Sequence, residues 1–372
     1  MTVHFSQARS HALVLTASVA MLVTAAACSD ASTDRDASSR DSTTTTTTPA
    51  TCDSSSTVAP GTERIEVPAK GGPREVERVI PPNYDGTTRL PLIVDLHGFT
   101  STIEQQNLFS DLPAQAATRG YVLLTPQAAE ASLPIKGERI SGPYWNLGLD
   151  ATNRDQKSSE PIRDTRDDIG FLTDLIDSAA MDLCVDHARI YATGFSNGAG
   201  MTAALACAMP GRLAAIAPVS GINLAPACPQ LEPVSVIALH GDADPLVPYE
   251  GGPAASTSID NPSVEDTVAT YAAAAGCDAE PESSSPFPDI EQRAWTGCEP
   301  GLDIELHSVV GGGHTWPGML NYVDVTKLAG ISASQRLTEL ADVDIAEVAG
   351  HMTTNVEATQ VMLDFFDTHR RL

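Results

Sequence analysis

Ala188-Arg189-Ile190-Tyr191-Ala192-Thr193-Gly194-Phe195-Ser196-Asn197-Gly198-Ala199-Gly200-Met201 carries a strand, a turn and the start of a helix in immediate succession. Ala188 to Thr193 is a short apolar run with branched residues, the pattern of a buried strand. The small residues from Ala199 to Met209 read as a helix. Between them, Gly194-Phe195-Ser196-Asn197-Gly198 is a G-x-S-x-G turn in strand–turn–helix context. The glycines have a physical reason. A side chain on so sharp a bend stands proud of the sheet, and bulky neighbours two residues away would collide with the backbone. The following helix aims its N-terminal N–H groups at the same spot, where they favour developing negative charge. Ser196 is the candidate nucleophile.

Similar apolar runs recur on both sides: Leu90–Leu96, Gly120–Thr125, Leu213–Val219, Val234–Leu239 and Leu302–Val310. Helical patterns lie between them. Ile169, Leu172, Ile176 and Leu183 form one stripe, with Thr165 and Asp168 placed as a capping pair. A second helix is expected over 263–275, and a last one over 355–368, entered through Thr354 with Glu357 three residues on. This alternation predicts an α/β fold with a mostly parallel central sheet and helices on both faces. The predicted catalytic domain covers 63–372, behind a Ser/Thr-rich tether over 29–62 that lacks the apolar content to form a core. The tether would hold the domain clear of a membrane or wall.

Residues 1–28 read as a signal peptide: Arg9 precedes an apolar run from Ala12 to Ala27 that is short for a membrane span. Ala25, Ala26 and Ala27 before Cys28 resemble a bacterial lipoprotein signal, which would make Cys28 a lipidation site. The expected location is outside the cell, secreted or anchored to the outer face of the membrane, with lipidated Cys28 as the one route to membrane attachment. Cys52, Cys184, Cys207, Cys228, Cys277 and Cys298 remain, an even number that suits disulfides in an exported chain. Cys277–Cys298 is the predicted pair, closing a Pro/Ser-rich excursion. A net charge of −26, from 22 basic and 48 acidic residues, argues against nucleic acid and anionic lipid as partners. No CxxC, HExxH or calcium-loop spacing points to a metal.

A serine hydroxyl needs a base, and the base needs a group to fix its tautomer. The strand Val234–Leu239 runs into His240-Gly241-Asp242-Ala243-Asp244, where both Asp242 and Asp244 qualify as the acid. Among the histidines, His314 stands out. It follows the strand Leu302–Val310 and Gly311-Gly312-Gly313, a loop that lets an imidazole reach back over the sheet. His351 is the reserve, while His240 and His97 read as loop-shaping residues. For the oxyanion, Asn197 offers one backbone N–H and Phe99, after Leu96-His97-Gly98, offers the other.

Taken together, Leu96-His97-Gly98, Gly194-Phe195-Ser196-Asn197-Gly198, His240-Gly241-Asp242-Ala243-Asp244 and Gly313-His314-Thr315-Trp316-Pro317-Gly318 resemble the secreted polyhydroxybutyrate depolymerase and feruloyl/acetylxylan esterase family of α/β-hydrolases. Tyr144-Trp145-Asn146 and Asp167-Asp168-Ile169 are further landmarks. The resemblance implies Ser196, Asp244 and His314 as catalytic residues, Phe99 and Asn197 as oxyanion donors, and Trp145 and Trp316 as substrate-flanking residues, with core packing the equal alternative for the two tryptophans. It implies an ester substrate, either hydroxyalkanoate or feruloyl/acetyl esters of plant polysaccharide, and no cofactor. A peptidase or thioesterase on the same fold, or a catalytically silent surface binding protein, is the alternative.

Overall fold

In the computed structural model, which describes residues 52, 58–135, 138–148, 166–254, 260–319 and 348–371, every residue of the strand Leu90–Leu96 is buried. That strand lies inside a ten-stranded sheet. The strands in chain order are β1 (Gly61–Val67), β2 (Arg74–Ile80), β3 (Leu90–Leu96), β4 (Val122–Pro126), β5 (Glu130–Ile135), β6 (Glu138–Pro143), β7 (Val185–Phe195), β8 (Ala215–Val219), β9 (Ser235–Gly241), β10 (Gly252–Pro253), β11 (Asp260–Asn261), β12 (Glu282–Phe287), β13 (Ile290–Trp295) and β14 (Ile304–Val309). The large sheet runs β1-β2-β4-β3-β7-β8-β9-β14-β13-β12, while β5–β6 and β10–β11 are separate pairs. From β4 to β14 the neighbours are parallel; β1–β2, β2–β4, β13–β14 and β12–β13 are antiparallel.

Alternation along β3 sorts the core into two layers. Leu92, Val94 and Leu96 join one cluster with Leu172 and Ile176, Met201 and Leu205, and Val264 and Val268. These belong to α3 (Asp168–Asp182), α4 (Asn197–Ala208) and α5 (Val264–Ala274). Ile93 joins the other with Leu112 and Ala116 of α2 (Leu112–Arg119) and Met362, Leu363 and Phe366 of α6 (Ala358–Thr368). Phe366 stacks on Tyr191 at 4.5 Å, and the Tyr191 hydroxyl donates to the Phe366 and His369 carbonyls, pinning α6 to β7. The predicted parallel sheet with helices on both faces is therefore observed.

Several expectations shift. The α3 cap is Asp167, whose carboxylate accepts the Gly170 N–H at 2.8 Å; Thr165 lies outside the described residues, and Asp168 is instead ion-paired with Arg74. The last helix begins at Ala358, with Glu357 at its cap, rather than at 355. Cys277 and Cys298 are bonded as expected, but the Pro/Ser-rich stretch between them is the β12–β13 hairpin, an exposed edge that pairs through its backbone. Cys207–Cys228 and Cys52–Cys184 complete the set. The second ties Cys52, from the expected tether, to the foot of β7. Closing its 132-residue separation restricts the unfolded chain by about 5 kcal/mol in a loop-entropy picture. β1 starts at Gly61, slightly ahead of the expected boundary. The signal peptide, Cys28 and most of the tether lie outside the described residues.

One buried group in β3 makes stability depend on pH. Asp95 is fully buried, with Gln106 Nε2 at 2.7 Å and the Ser110 hydroxyl at 3.1 Å. Burial outweighs those bonds and pushes its carboxyl up from 3.8 to about 7. The folded state thus holds this proton where the unfolded chain has lost it. The stability it contributes is full below about pH 4 and is lost as pH rises to about 7. Thermal melts of Asp95→Asn are expected to lie above wild type at pH 8 and to converge with it near pH 4.

Candidate active site

At the end of β7 the backbone turns sharply. Ser196 has φ 56° and ψ −118°, a left-handed geometry rare for a residue with a side chain, and α4 begins at the next residue. The surrounding backbone holds it there. Ser196 N–H donates to the Val219 carbonyl at 2.9 Å, and Gly200 N–H donates to the Ser196 carbonyl at 3.0 Å. Gly198 is dictated by close approach: a Cβ there would lie 2.0 Å from the Leu96 carbonyl oxygen. Such strain costs about 1–3 kcal/mol and is held by the structure around it. Ser196→Gly is therefore expected to be about 1 kcal/mol more stable than Ser196→Ala in urea unfolding, although both lack the hydroxyl.

The loop after β9 carries both acid candidates. Asp244 is buried, and its Oδ1 accepts the N–H groups of Leu246 and Val247, each at 2.9 Å. Its Oδ2 lies 2.7 Å from His314 Nδ1 and 3.3 Å from His240 Nε2. Burial raises this carboxyl, but the charge and hydrogen bonds of His314 and His240 outweigh burial and hold it well below the ordinary carboxylate range. Asp242, the other sequence candidate, accepts the Gly311 N–H at 2.6 Å and so braces the neighbouring loop. Of the two, Asp244 is the one in contact with His314.

His314 follows β14, as expected. Its N–H donates to the Val348 carbonyl at 2.6 Å, and its ring packs on Phe195, the residue before Ser196, with centroids 4.8 Å apart. The Thr315 carbonyl accepts the Ser220 hydroxyl at 3.2 Å. Val219 and Ser220 thus anchor both the turn and the histidine loop. The other histidines stand elsewhere. His351 is exposed and paired with Asp289 at 2.7 Å. His97 is buried, and burial pushes it down to about 4, so the neutral ring donates from Nδ1 to the Gly98 carbonyl and accepts the Ala128 N–H at Nε2. The contact of His240 with Asp244 was missed by sequence reading, although their i,i+4 spacing around the turn was there to be read.

Gly98 passes beside Ser196, since a Cβ there would sit 3.4 Å from Ser196 Cβ. Among the described residues, neither Phe99 N–H nor Asn197 N–H is spent on a hydrogen bond. The two tryptophans correct an expectation. Trp145 is 0% and Trp316 2% exposed, so neither offers a face to a substrate. Trp316 donates its indole N–H to the Thr359 hydroxyl at 3.2 Å and packs edge-on against Phe195; Trp145 donates to the His97 carbonyl at 2.9 Å.

A parallel sheet flanked by helices, with a serine turn after one central strand and acid and histidine loops after two later ones, is the α/β-hydrolase fold. The profile of the phospholipase/carboxylesterase family matches residues 83–277, and the chain belongs to that family. Among curated proteins it is 26% identical to feruloyl esterase B of Piromyces equi over 250 residues, 65% of this chain and 42% of that one. It is 30% identical to feruloyl esterase C of Emericella nidulans over 152 residues, 40% of this chain and 56% of that one. The matched region thus spans about half the length of these relatives.

Proposed function

We propose that this protein is a serine carboxylesterase in which Ser196, His314 and Asp244 are the catalytic residues. The observation that carries the reading is the 2.7 Å contact of a buried, ionised Asp244 with His314 Nδ1, on a ring packed against the residue before a strained serine. With Nδ1–H committed to Asp244, Nε2 is the nitrogen left to act as base. Ser196 Oγ attacks the ester carbonyl carbon while its proton passes to His314 Nε2. Asp244 stays ionised and stabilises the imidazolium. The carbonyl oxygen becomes an oxyanion that accepts from the Phe99 and Asn197 N–H groups. Collapse breaks the bond to the alcohol, which leaves with the proton from Nε2. Water then attacks the acyl-enzyme, gives a proton to Nε2, and frees the acid as Ser196 regains its hydroxyl.

Feruloyl or acetyl esters of plant polysaccharide are the substrate class we favour over hydroxyalkanoate esters, because the relatives above are named feruloyl esterases. Three disulfides support an oxidising compartment, and we read residues 1–28 as an export signal with Cys28 as its lipid anchor.

The full chain should hydrolyse p-nitrophenyl acetate and methyl ferulate, with kcat/KM for methyl ferulate above that for hydroxybutyrate oligomers. Ser196→Ala is expected to lose at least about 10³-fold in kcat, and Asp244→Asn a comparable amount, with the fold intact by circular dichroism. Undiminished hydrolysis by Ser196→Ala contradicts the mechanism. A preference for hydroxybutyrate oligomers contradicts the substrate class alone.

A further inference from the structure

The two oxyanion donors sit on different segments, Phe99 on the loop after β3 and Asn197 on the first turn of α4. The β3–β7 ladder ends at Leu96 and Gly194, so strand pairing does not fix the distance between them. Another segment touches both. Thr100 N–H donates to the Pro143 carbonyl at 2.8 Å, and the Trp145 indole N–H donates to the His97 carbonyl at 2.9 Å. On its other side, Trp145 N–H donates to Asn197 Oδ1 at 2.8 Å while Asn197 Nδ2 donates to the Trp145 carbonyl at 3.1 Å. His97, Trp145 and Asn197 are all buried. The segment is itself grounded: Asn146 N–H donates to Asp168 Oδ2 at 2.7 Å, Asp168 is paired with Arg74, and the Arg74 guanidinium lies 4.5 Å over the Phe171 ring.

Resting on the esterase reading above, we infer that Trp145 and the Asn197 side chain form one brace that sets the spacing of the two oxyanion donors, making both of them positioning residues for acyl transfer. The side chain of Asn197 is suited to this in a way few others are. Its carboxamide offers one acceptor and one donor, matching the N–H and C=O of Trp145 as a neighbouring strand would. Because the same residue carries one of the oxyanion N–H groups, a slack side chain loosens the donor. Donors of this kind act only when they are preorganised where charge develops, and a misplacement on the order of 1 Å costs about 10²-fold.

The test uses Trp145→Phe, which removes the indole donor and keeps an aromatic ring, and Asn197→Leu, which removes both carboxamide bonds and keeps the backbone N–H. Active sites are titrated with a fluorophosphonate, and turnover of p-nitrophenyl acetate is expressed per titrated site. Each variant is expected to lose about 10- to 100-fold in kcat with KM within about 2-fold of wild type. Inhibition by a trifluoromethyl ketone, which forms a tetrahedral oxyanion adduct, should weaken in proportion to kcat/KM. The double variant should be about as slow as the poorer single, because both changes release one brace. Asn197→Asp, which keeps the acceptor for Trp145 N–H, should lose less than Asn197→Leu, and it carries the test if another variant does not fold.

Folded variants with wild-type kcat per titrated site, or losses that multiply in the double variant, overturn the brace. A role confined to stability would lower the melting temperature and the titratable fraction and leave kcat per site unchanged. Ser196→Ala separates the two claims. Activity in that variant removes the esterase reading, whereas an inactive Ser196→Ala beside fully active brace variants removes only the brace.

Discussion

The left-handed backbone at Ser196 persists because three segments close around it with nothing in the way. Its N–H is held by the Val219 carbonyl, its carbonyl starts α4, and Gly198 lets the Leu96 carbonyl approach where a side chain would collide. The rest of the site is built outward from that turn. Val219 leads directly to Ser220, whose hydroxyl holds the Thr315 carbonyl beside His314, and Phe195 gives the imidazole its packing surface. The central parallel strands supply the rigidity this needs, since β3, β7, β8 and β9 are fixed on both edges by neighbours and on both faces by helices.

Charge follows the same plan. Asp244 is taken out of water, yet two backbone N–H groups, His314 and His240 keep it ionised, so a fixed negative charge stands behind the imidazole. Asp95, in the same kind of burial with the neutral donors of Gln106, Ser110 and the Leu96 backbone and no cation beside it, goes the other way and holds its proton to about pH 7. Desolvation acts on both; the number and charge of the donors decide the outcome.

Much of this was legible in the chain. The six inner strands are continuous apolar runs because both faces are covered, and β3 was read to the residue. The flanking strands were missed for the complementary reason. β1 and β2 break their apolar residues with Arg64, Glu75 and Glu77, which sit among ion pairs, so neither is a continuous apolar run even though Val76, Val79 and Ile80 are buried, and β12 is exposed throughout. Ser196 and His314 follow from spacing and order. Spacing alone left Asp242 and Asp244 equal and only the family resemblance favoured Asp244, because the contact of one carboxylate with the imidazole exists only in the folded turn. Trp145 misled most: a tryptophan among site motifs reads equally as a lining or a buried strut, and only its burial and three hydrogen bonds tell them apart.

The most direct measurement is mass-spectrometric mapping of a fluorophosphonate adduct on the full chain, with wild type and His314→Ala labelled side by side. A serine activated through His314 and Asp244 should give one adduct, on the peptide containing Ser196, formed at least about 10²-fold more slowly in His314→Ala. An active protein that takes its adduct at another residue, or that labels Ser196 equally fast without His314, would contradict the account.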